Sequence, residues 1–457
     1  MIYKFSNNNE YARKFVHVIL GFWPYIGFST FDNIWTLISV PVLFIIVNYL
    51  SAKYHLMAFM EREDQSYGTV WYALSLTILM LFGRLFNLEH LAINAMLILS
   101  LGDGFAALFG RAFGHNKVSF IRDSKKTNVG CVTMFVVSSL LTLMFNIELG
   151  LLNNIVLALL VALGATTVEL FSEHGMDNFY VPQISILIMY LATLHHIIIV
   201  TLITIITILI LLKAYRKQSL SKEAVPLALM IAYLMVILGN LVSYLGLIVF
   251  FVASSLIERF SNDAKVKASS LHLSSGTRGV SQVLMNTLPA LTMLIIGALL
   301  NHQTDFFNIA ALSAYAISTA DTFASEIGML TKKRTFSLLT FKDIKQGLSG
   351  GISLLGLTAS IVGASIIALL GALTYSINAA LFILIVGIFG ALFDSFLGEL
   401  IQAKYQSKSG EITENNTQED SELELVSGYA SINNNSVNIL SSLITVFSSV
   451  IIYFIML

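Results

Sequence analysis

Charged residues are scarce in this 457-residue chain, and those set inside apolar sequence define the chemistry open to it. Four aspartates stand in or beside long apolar runs: Asp103 in LGDGFAALFG, Asp177 in DNF, Asp321 in TADTFASEIG and Asp394 in DSF. An acid in such a place is expensive and usually functional. Asp103 and Asp321 both open the pattern D-x-F-A-x-x-x-G and lie 218 positions apart; Asp177 and Asp394 share D-x-F at an offset of 217. Bases follow the acids: Arg111, Lys117, Lys125 and Lys126 after Asp103, Lys332 and Lys333 after Asp321, and Lys404 after Asp394. Carboxylates hold Mg2+, and Lys or Arg holds phosphate oxygens. Phosphoryl transfer needs both, because its catalysis is mostly positioning and charge neutralisation. Glycines beside the acids (Gly102, Gly104, Gly110 and Gly114, and later Gly350 and Gly351) would let backbone approach a ligand closely. A cation or proton pathway lined by acids is the other reading these residues allow.

Further polar residues recur at helical spacing. Arg13 and His17 are four apart, Glu169 and Glu173 share a face just before Asp177, and Arg278, Gln282 and Asn286 form a stripe at i, i+4 and i+8. Asp394, Gly398 and Gln402 form another such stripe. His195 and His196 interrupt an apolar run and read as interfacial. The lone Cys131 excludes an intrachain disulfide framework and a multi-cysteine metal site, and reads as a helix-packing residue. No GxxxxGK[ST], strand–GxGxxG–helix, HExxH or GxSxG signature of a soluble enzyme occurs.

The elements that must position these groups follow from composition. The chain is 56% hydrophobic and 12% charged, where a soluble domain carries roughly a quarter charged residues. That excludes a soluble globule and a disordered chain. The net charge of −1 draws no polyanion and argues against nucleic acid as a partner. Apolar runs long enough to cross about 30 Å of hydrocarbon recur at 14–31, 34–51, 69–86, 89–110, 130–146 and 150–172. The run 182–212 is too long for one upright helix and is split at His195 and His196; the rest are 226–239, 241–257, 280–300, 306–330, 349–373, 378–402 and 436–456. The expectation is an all-α, polytopic integral membrane protein with about 15 spans. The polar N-terminus has no small-residue cleavage site, so the first apolar stretch reads as a retained span.

Basic segments at Lys4–Lys14, Arg111–Lys126, Lys213–Lys222, Arg259–Arg278 and Lys332–Lys345 all fall on one side of these spans, which the positive-inside rule makes cytoplasmic. Turns such as Ser376–Asn378, on the other side, are nearly free of charge. The sites would then lie at the cytoplasmic face of a plasma or inner membrane. The basic stretch KAYRKQSLSKE suggests domains at 1–212 and 226–457 joined by a linker at 213–225. The two aspartate offsets shift an even number of spans, which suggests two parallel-repeat halves. Residues 406–424, with six acids, read as a mobile, solvated cytoplasmic loop.

Two resemblances sharpen this. ARKFVH at 12–17, GDGFAALFGRAFG at 102–114, KKTNVGCVTMF at 125–135, ATTVE at 165–169 and DNFYVP at 177–182 resemble, in order, the phytol kinase and dolichol kinase family of CTP-using lipid-alcohol kinases. Those are in turn similar to CTP:phosphatidate cytidylyltransferases. Val129 departs from that family's pattern, which has an acid there. TRGVSQVLMN at 277–286, STADTFASEIG at 318–328, GLSGGISLLGLTASIVGA at 347–364, FDSFLGELIQ at 393–402 and NNNSVNILSS at 433–442 resemble the phytyl-phosphate kinase family, with Glu399 where a small residue is usual.

The resemblances imply two consecutive phosphorylations, of an isoprenoid alcohol and then of its monophosphate. Mg2+ would be the cofactor and CTP, or another nucleoside triphosphate, the donor, with the alcohol lying among membrane lipids. Asp103 and Asp177, with Glu169, would hold Mg2+ and orient the hydroxyl in the first half. Arg13, Arg111, Lys117, Lys125 and Lys126, with Gly102, Gly104, Gly110 and Gly114, would meet phosphates. In the second half Asp321, Glu326 and Asp394 would hold metal. Arg278, Gln282 and Asn286, with Lys332, Lys333, Gly350 and Gly351, would meet phosphate. Two readings stay beside the kinase: a cytidylyltransferase releasing pyrophosphate, and a transporter or flippase.

Overall fold

Apolar runs of this length become helices because only a helix or a closed barrel satisfies the backbone in hydrocarbon. The computed structural model describes residues 9–54, 67–122, 124–145, 149–269, 276–300, 305–331, 333–407, 410–414 and 423–456. The first helices are α1 (Asn9–Leu20), α2 (Trp23–Thr30), α3 (Ile34–Tyr54), α4 (Gly68–Phe86) and α5 (Glu89–Leu97). A π-helical turn, Ile98–Asp103, leads from α5 into α6 (Gly104–Phe113). Then follow α7 (Asn128–Met144), α8 (Leu151–Phe171), α9 (Asp177–Leu194), α10 (Ile197–Arg216), α11 (Ala224–Leu238), α12 (Leu241–Ile257) and α13 (Asp263–Ser269). The last are α14 (Val280–Leu299), α15 (Asp305–Gly328), α16 (Leu354–Thr374), α17 (Ile377–Ile401) and α18 (Asn434–Met456).

Among the described residues nine helical segments are long and apolar enough to cross a membrane, and α7, α11 and α12 are shorter apolar helices. The remaining three of the roughly 15 expected spans differ for local reasons. Helices α9 and α15 have the length but carry more polar residues, Asp177 and Asp321 among them. The stretch 14–31 breaks between α1 and α2, where a Cβ on Gly21 would lie 2.0 Å from Ser100 Oγ. The run split at His195 and His196 does divide there, into α9 and α10.

The chain forms two units, residues 1–216 with 222–233, and residues 217–221 with 234–457. The chain thus passes between the units at 216/217 and 221/222, within the basic stretch 213–225, and again within α11 at 233/234. Tyr233 on α11 donates to Thr204 Oγ1 (3.0 Å), which ties that part of the helix to the first unit. Residues 218–221 pair with the backbone of the second: Ser221 N donates to Arg278 O (2.9 Å) and Arg278 N to Ser219 O (3.2 Å).

Each unit contains the same helical corner. In the first, α7 begins at Thr127, whose Oγ1 accepts from Gly130 N (3.1 Å). In the second, α16 begins at Ser353, whose Oγ accepts from Gly356 N (3.0 Å). A Cβ on Gly130 would lie 3.2 Å from Ala106 O and 3.8 Å from Gly110 Cα; one on Gly356 would lie 2.9 Å from Ala324 O and 3.5 Å from Gly328 Cα. Ala106 and Gly110 follow Asp103 by three and seven positions, as Ala324 and Gly328 follow Asp321. The D-x-F-A-x-x-x-G helix therefore packs on an [S/T]-x-x-G helix start in both. The other offset does not survive. Asp177 opens α9, whereas Asp394 lies seven residues before the end of α17. The acid on the third helix of the first corner is Glu169, near the end of α8.

Small residues bring the helices of the second corner together. Ala320, Ala364 and Ala391 form a buried cluster of α15, α16 and α17, and a Cβ on Gly387 would lie 2.9 Å from Ala364 Cβ. Such interfaces pack closely where lipid offers no hydrophobic gain. Two antiparallel sheets interrupt the helices: β1 (Thr335–Ser337), β2 (Asp343–Ile344) and β3 (Gly351–Ile352) in the order β2-β1-β3, and β4 (Lys404–Gln406), β5 (Ile412–Thr413) and β6 (Glu424–Ser427) in the order β5-β4-β6. The acidic stretch expected as a loop at 406–424 is therefore anchored by strands at both ends, with 408–409 and 415–422 outside the described residues. The span expected to begin at 349 begins at Leu354, after β3.

Candidate active site

In the first unit five charged side chains converge. Helix α1 carries Lys14 onto Asp103 as a buried ion pair. His17, one turn on, holds Nε2 at 3.6 Å from the same carboxylate oxygen. Its ring meets Tyr72 edge-on with centroids 4.6 Å apart, and Tyr72 Oη donates to His17 O (2.9 Å). Asp103 ends the π-helical turn, a distortion that recurs at functional sites. Lys126, just before the α7 cap, donates to Glu169 and stands 3.7 Å from Asp177 Oδ2. The carboxylates of Asp103, Glu169 and Asp177 are all buried. Burial opposes the charge on Lys126, but Glu169, Asp177 and Asp103 outweigh it and raise the ammonium above the ordinary lysine range.

The second unit has its own cluster. Asp394 accepts from Ser441 Oγ (2.6 Å), and the Asn438 side-chain amide, oriented to satisfy both its ends, donates to the same oxygen (3.3 Å). Asp321 feels the charges of Asp394 and Glu326. Arg278 is 4% exposed; its Nε (3.1 Å) and Nη2 donate to Glu258 Oε1, and the guanidinium lies 5.8 and 5.5 Å from the ring centroids of Phe250 and Phe251. Arg278 Nη1 is buried with no partner among the described residues. Burial raises the Glu258 carboxyl against the pull of Arg278. Lys265 Nζ bridges Glu326, Glu258 O (2.9 Å) and Phe260 O (2.6 Å).

The residues expected to meet phosphate are placed unevenly. Arg111 lies in the last turn of α6 at the surface, and Lys117, Lys125 and Lys333 are exposed. Gln282 and Asn286 lie half-buried on one face of α14. The Arg13 side chain and Lys332 lie outside the described residues. The glycines of the first corner serve packing, not an open cradle. A Cβ on Gly102 would lie 2.7 Å from Met134 Sδ and one on Gly104 2.9 Å from Val18 Cγ2; on Gly110 and Gly114 it would lie 2.8 and 2.5 Å from Thr127 Oγ1. Gly350 has φ +91° and lies against Glu399, and Gly351 starts β3 beside Ile344. Lys14, Glu258 and Lys265 were not singled out from sequence. Lys14 sits beside Arg13 in ARKFVH, and one position on a helix turns a side chain by about 100°.

A Mg2+ ion fits the first cluster in part. Glu169 Oε2 is buried without a hydrogen-bond partner, and Asp177 meets Lys126 only at 3.7 Å, whereas Asp103 is paired with Lys14. Among the described residues no group of three or more His, Cys, Asp or Glu is spaced to hold a metal. Mg2+ commonly takes one or two carboxylates and completes its shell with substrate phosphates and water.

Comparison with known proteins adds to this geometry. The model of the integral membrane protein family DUF92 matches residues 205–446. A phytol kinase of Synechocystis sp. is 31% identical over 186 residues, covering 40% of this chain and 78% of that protein. Protein PGR of Arabidopsis thaliana is 28% identical over 227 residues, 44% of the chain and 78% of that protein. An uncharacterized membrane protein of Methanocaldococcus jannaschii is 31% identical over 159 residues; the alignment covers 35% of the chain and 64% of that protein. No solved structure matches the chain.

Proposed function

The chain belongs to the integral membrane protein family DUF92, and from that membership and its likeness to phytol kinases we propose that it is a membrane-embedded prenol kinase. It phosphorylates an isoprenoid alcohol in the first unit and the resulting monophosphate in the second, with CTP as donor. The observation that carries the reading is the recurrence of one corner in both units, each with an Asp at the same position. In the first, Lys14 and Lys126 offset the charge of Asp103, Glu169 and Asp177, so that incoming phosphates meet a set with two ammonium groups. Mg2+ held by Glu169 and Asp177 would neutralise charge on the transferring phosphoryl group. Asp103 orients the alcohol hydroxyl and His17 lies within reach of it. In the second unit Asp321 takes the place of Asp103. Arg278, fixed on two nitrogens by Glu258, presents Nη1 to the acceptor's phosphate.

Mass spectrometry of products from CTP and a panel of prenols, with the purified chain in micelles, tests this. The expected products are prenyl mono- and diphosphate with CDP. Asp103→Asn abolishes the first step, and Asp321→Asn stops at the monophosphate. Given the prenyl monophosphate directly, Asp103→Asn still forms the diphosphate; failure to do so, or loss of alcohol phosphorylation in Asp321→Asn, would sink the two-site model. Release of pyrophosphate with a CDP-lipid would make the protein a cytidylyltransferase instead.

A further inference from the structure

The turn between β2 and α16 carries a ligand of its own making. Gly347 and Gly350 both take left-handed backbone (φ +93° and +91°) and so hold Ser349 at the tip between them. Three donors there converge on one carboxylate. Ser349 N donates to Glu414 Oε1 (2.6 Å), while Ser349 Oγ (3.0 Å) and Gln402 Nε2 (2.8 Å) donate to Glu414 Oε2. Lys404 Nζ donates to Ser349 O (2.9 Å) and feels the charges of Glu414 and Glu399. Gln402 is 2% and Lys404 7% exposed, and Gln402 Oε1 has no partner among the described residues. The turn also lies against α17, since a Cβ on Gly398 would be 3.1 Å from Ser349 Cβ. Gly398 follows Asp394 by four positions, one helical turn.

Backbone N–H, hydroxyl and amide donors beside a buried ammonium are the groups that bind phosphoryl oxygens. The carboxylate they hold comes from the acidic stretch 406–424, reached over β5. We propose that the Gly347–Gly351 turn, with Gln402 and Lys404, is a phosphoryl-binding site of the second unit whose internal occupant is the Glu414 carboxylate. A phosphoryl group that enters displaces Glu414 and takes over the hydrogen bonds from Ser349 and Gln402. It brings a third oxygen and more charge toward Lys404. Phosphate affinity is then reduced by the fraction of molecules in which Glu414 holds the site. The proposal rests on the kinase reading only for which phosphoryl compound enters.

Binding of inorganic pyrophosphate to the full chain in micelles, followed by calorimetry, needs no turnover. Glu414→Gln is expected to bind pyrophosphate about ten-fold more tightly than the parent. Adding Lys404→Met or Ser349→Ala to that variant is expected to abolish the gain. Glu414→Asp, which withdraws the carboxylate by one methylene, gives the same direction if the glutamine variant does not fold. Unchanged or weaker binding in a folded Glu414 variant overturns the proposal. Displacement of pyrophosphate by CTP assigns the site to the nucleotide, and by a prenyl monophosphate to the lipid; displacement by neither also overturns it. Tighter binding without any kinase activity would remove the kinase reading and leave this site standing.

Discussion

Lys126 is the charge that holds the first cluster together. It reaches Glu169 and Asp177, both buried, and its own side chain is 31% exposed. Removing one partner of a buried pair leaves an uncompensated charge, which costs about 3 kcal/mol or more. Lys126→Met is therefore expected to lower stability by about 3 kcal/mol, and Lys126→Met with Glu169→Gln by less than the sum of the two. Melting in micelles measures both. The sign of the pH dependence follows from the raised ammonium. Its stabilisation is fully present below the unfolded lysine value of about 10.4 and is lost only as pH rises through the higher folded value. The lysine's own titration should therefore not narrow the stability gap between parent and Lys126→Met from about pH 6 to 9. A gap that already narrows in that range would show that these acids do not hold the lysine.

At the scale of elements, the two corners make unequal demands on their glycines. A Cβ on Gly356 would press on the backbone oxygen of Ala324 at 2.9 Å, whereas one on Gly130 would meet that of Ala106 at 3.2 Å. Overpacking costs about 1–3 kcal/mol when backbone must shift. Gly356→Ala should therefore fall near the top of that range and Gly130→Ala near or below its foot, by apparent melting temperature. Equal effects would show that the two corners do not differ in this contact.

How much of this was legible in the sequence varies with the signal. Long apolar runs give their helices to within a few residues, as at 69–86 against Gly68–Phe86, because hydrocarbon admits little else. The D-x-F-A-x-x-x-G pattern marked the right helices. Its partner half, Thr127-x-x-Gly130 and Ser353-x-x-Gly356, is too short to stand out until both halves are seen in contact. The D-x-F pairing of Asp177 with Asp394 misled because the same three letters open one helix and nearly close another. Lys14 was missed for its neighbour Arg13, and strands of two to four residues around Gly350 and Glu414 carry no periodic pattern to read.

At the scale of the whole molecule the functional groups follow one rule of sidedness, taken one unit at a time. In the first, the Lys117–Lys126 segment precedes α7 and the Glu173–Asp177 segment follows α8. In the second, Lys333–Lys345 precedes α16 and Gln402–Glu414 follows α17. Each pair of segments brackets one helical hairpin, so both segments of a pair lie on the same side if the hairpin crosses and returns. By the positive-inside rule the bases in them would make that side cytoplasmic, as the proposed function requires, and Leu151 and Asn378 stand at the opposite ends of the hairpins. Asp103, Glu169 and Asp394 all lie toward the basic ends, where under the proposed function a soluble nucleotide would meet an alcohol in the bilayer. Single cysteines in a Cys131→Ser background test this with an impermeant thiol reagent. Lys117→Cys and Lys333→Cys should label only after the membrane is opened, and Leu151→Cys and Asn378→Cys in intact cells. Labelling of Lys117→Cys or Lys333→Cys in intact cells would place that unit's acids on the outer face, away from cytoplasmic CTP, and would remove the kinase reading for that unit.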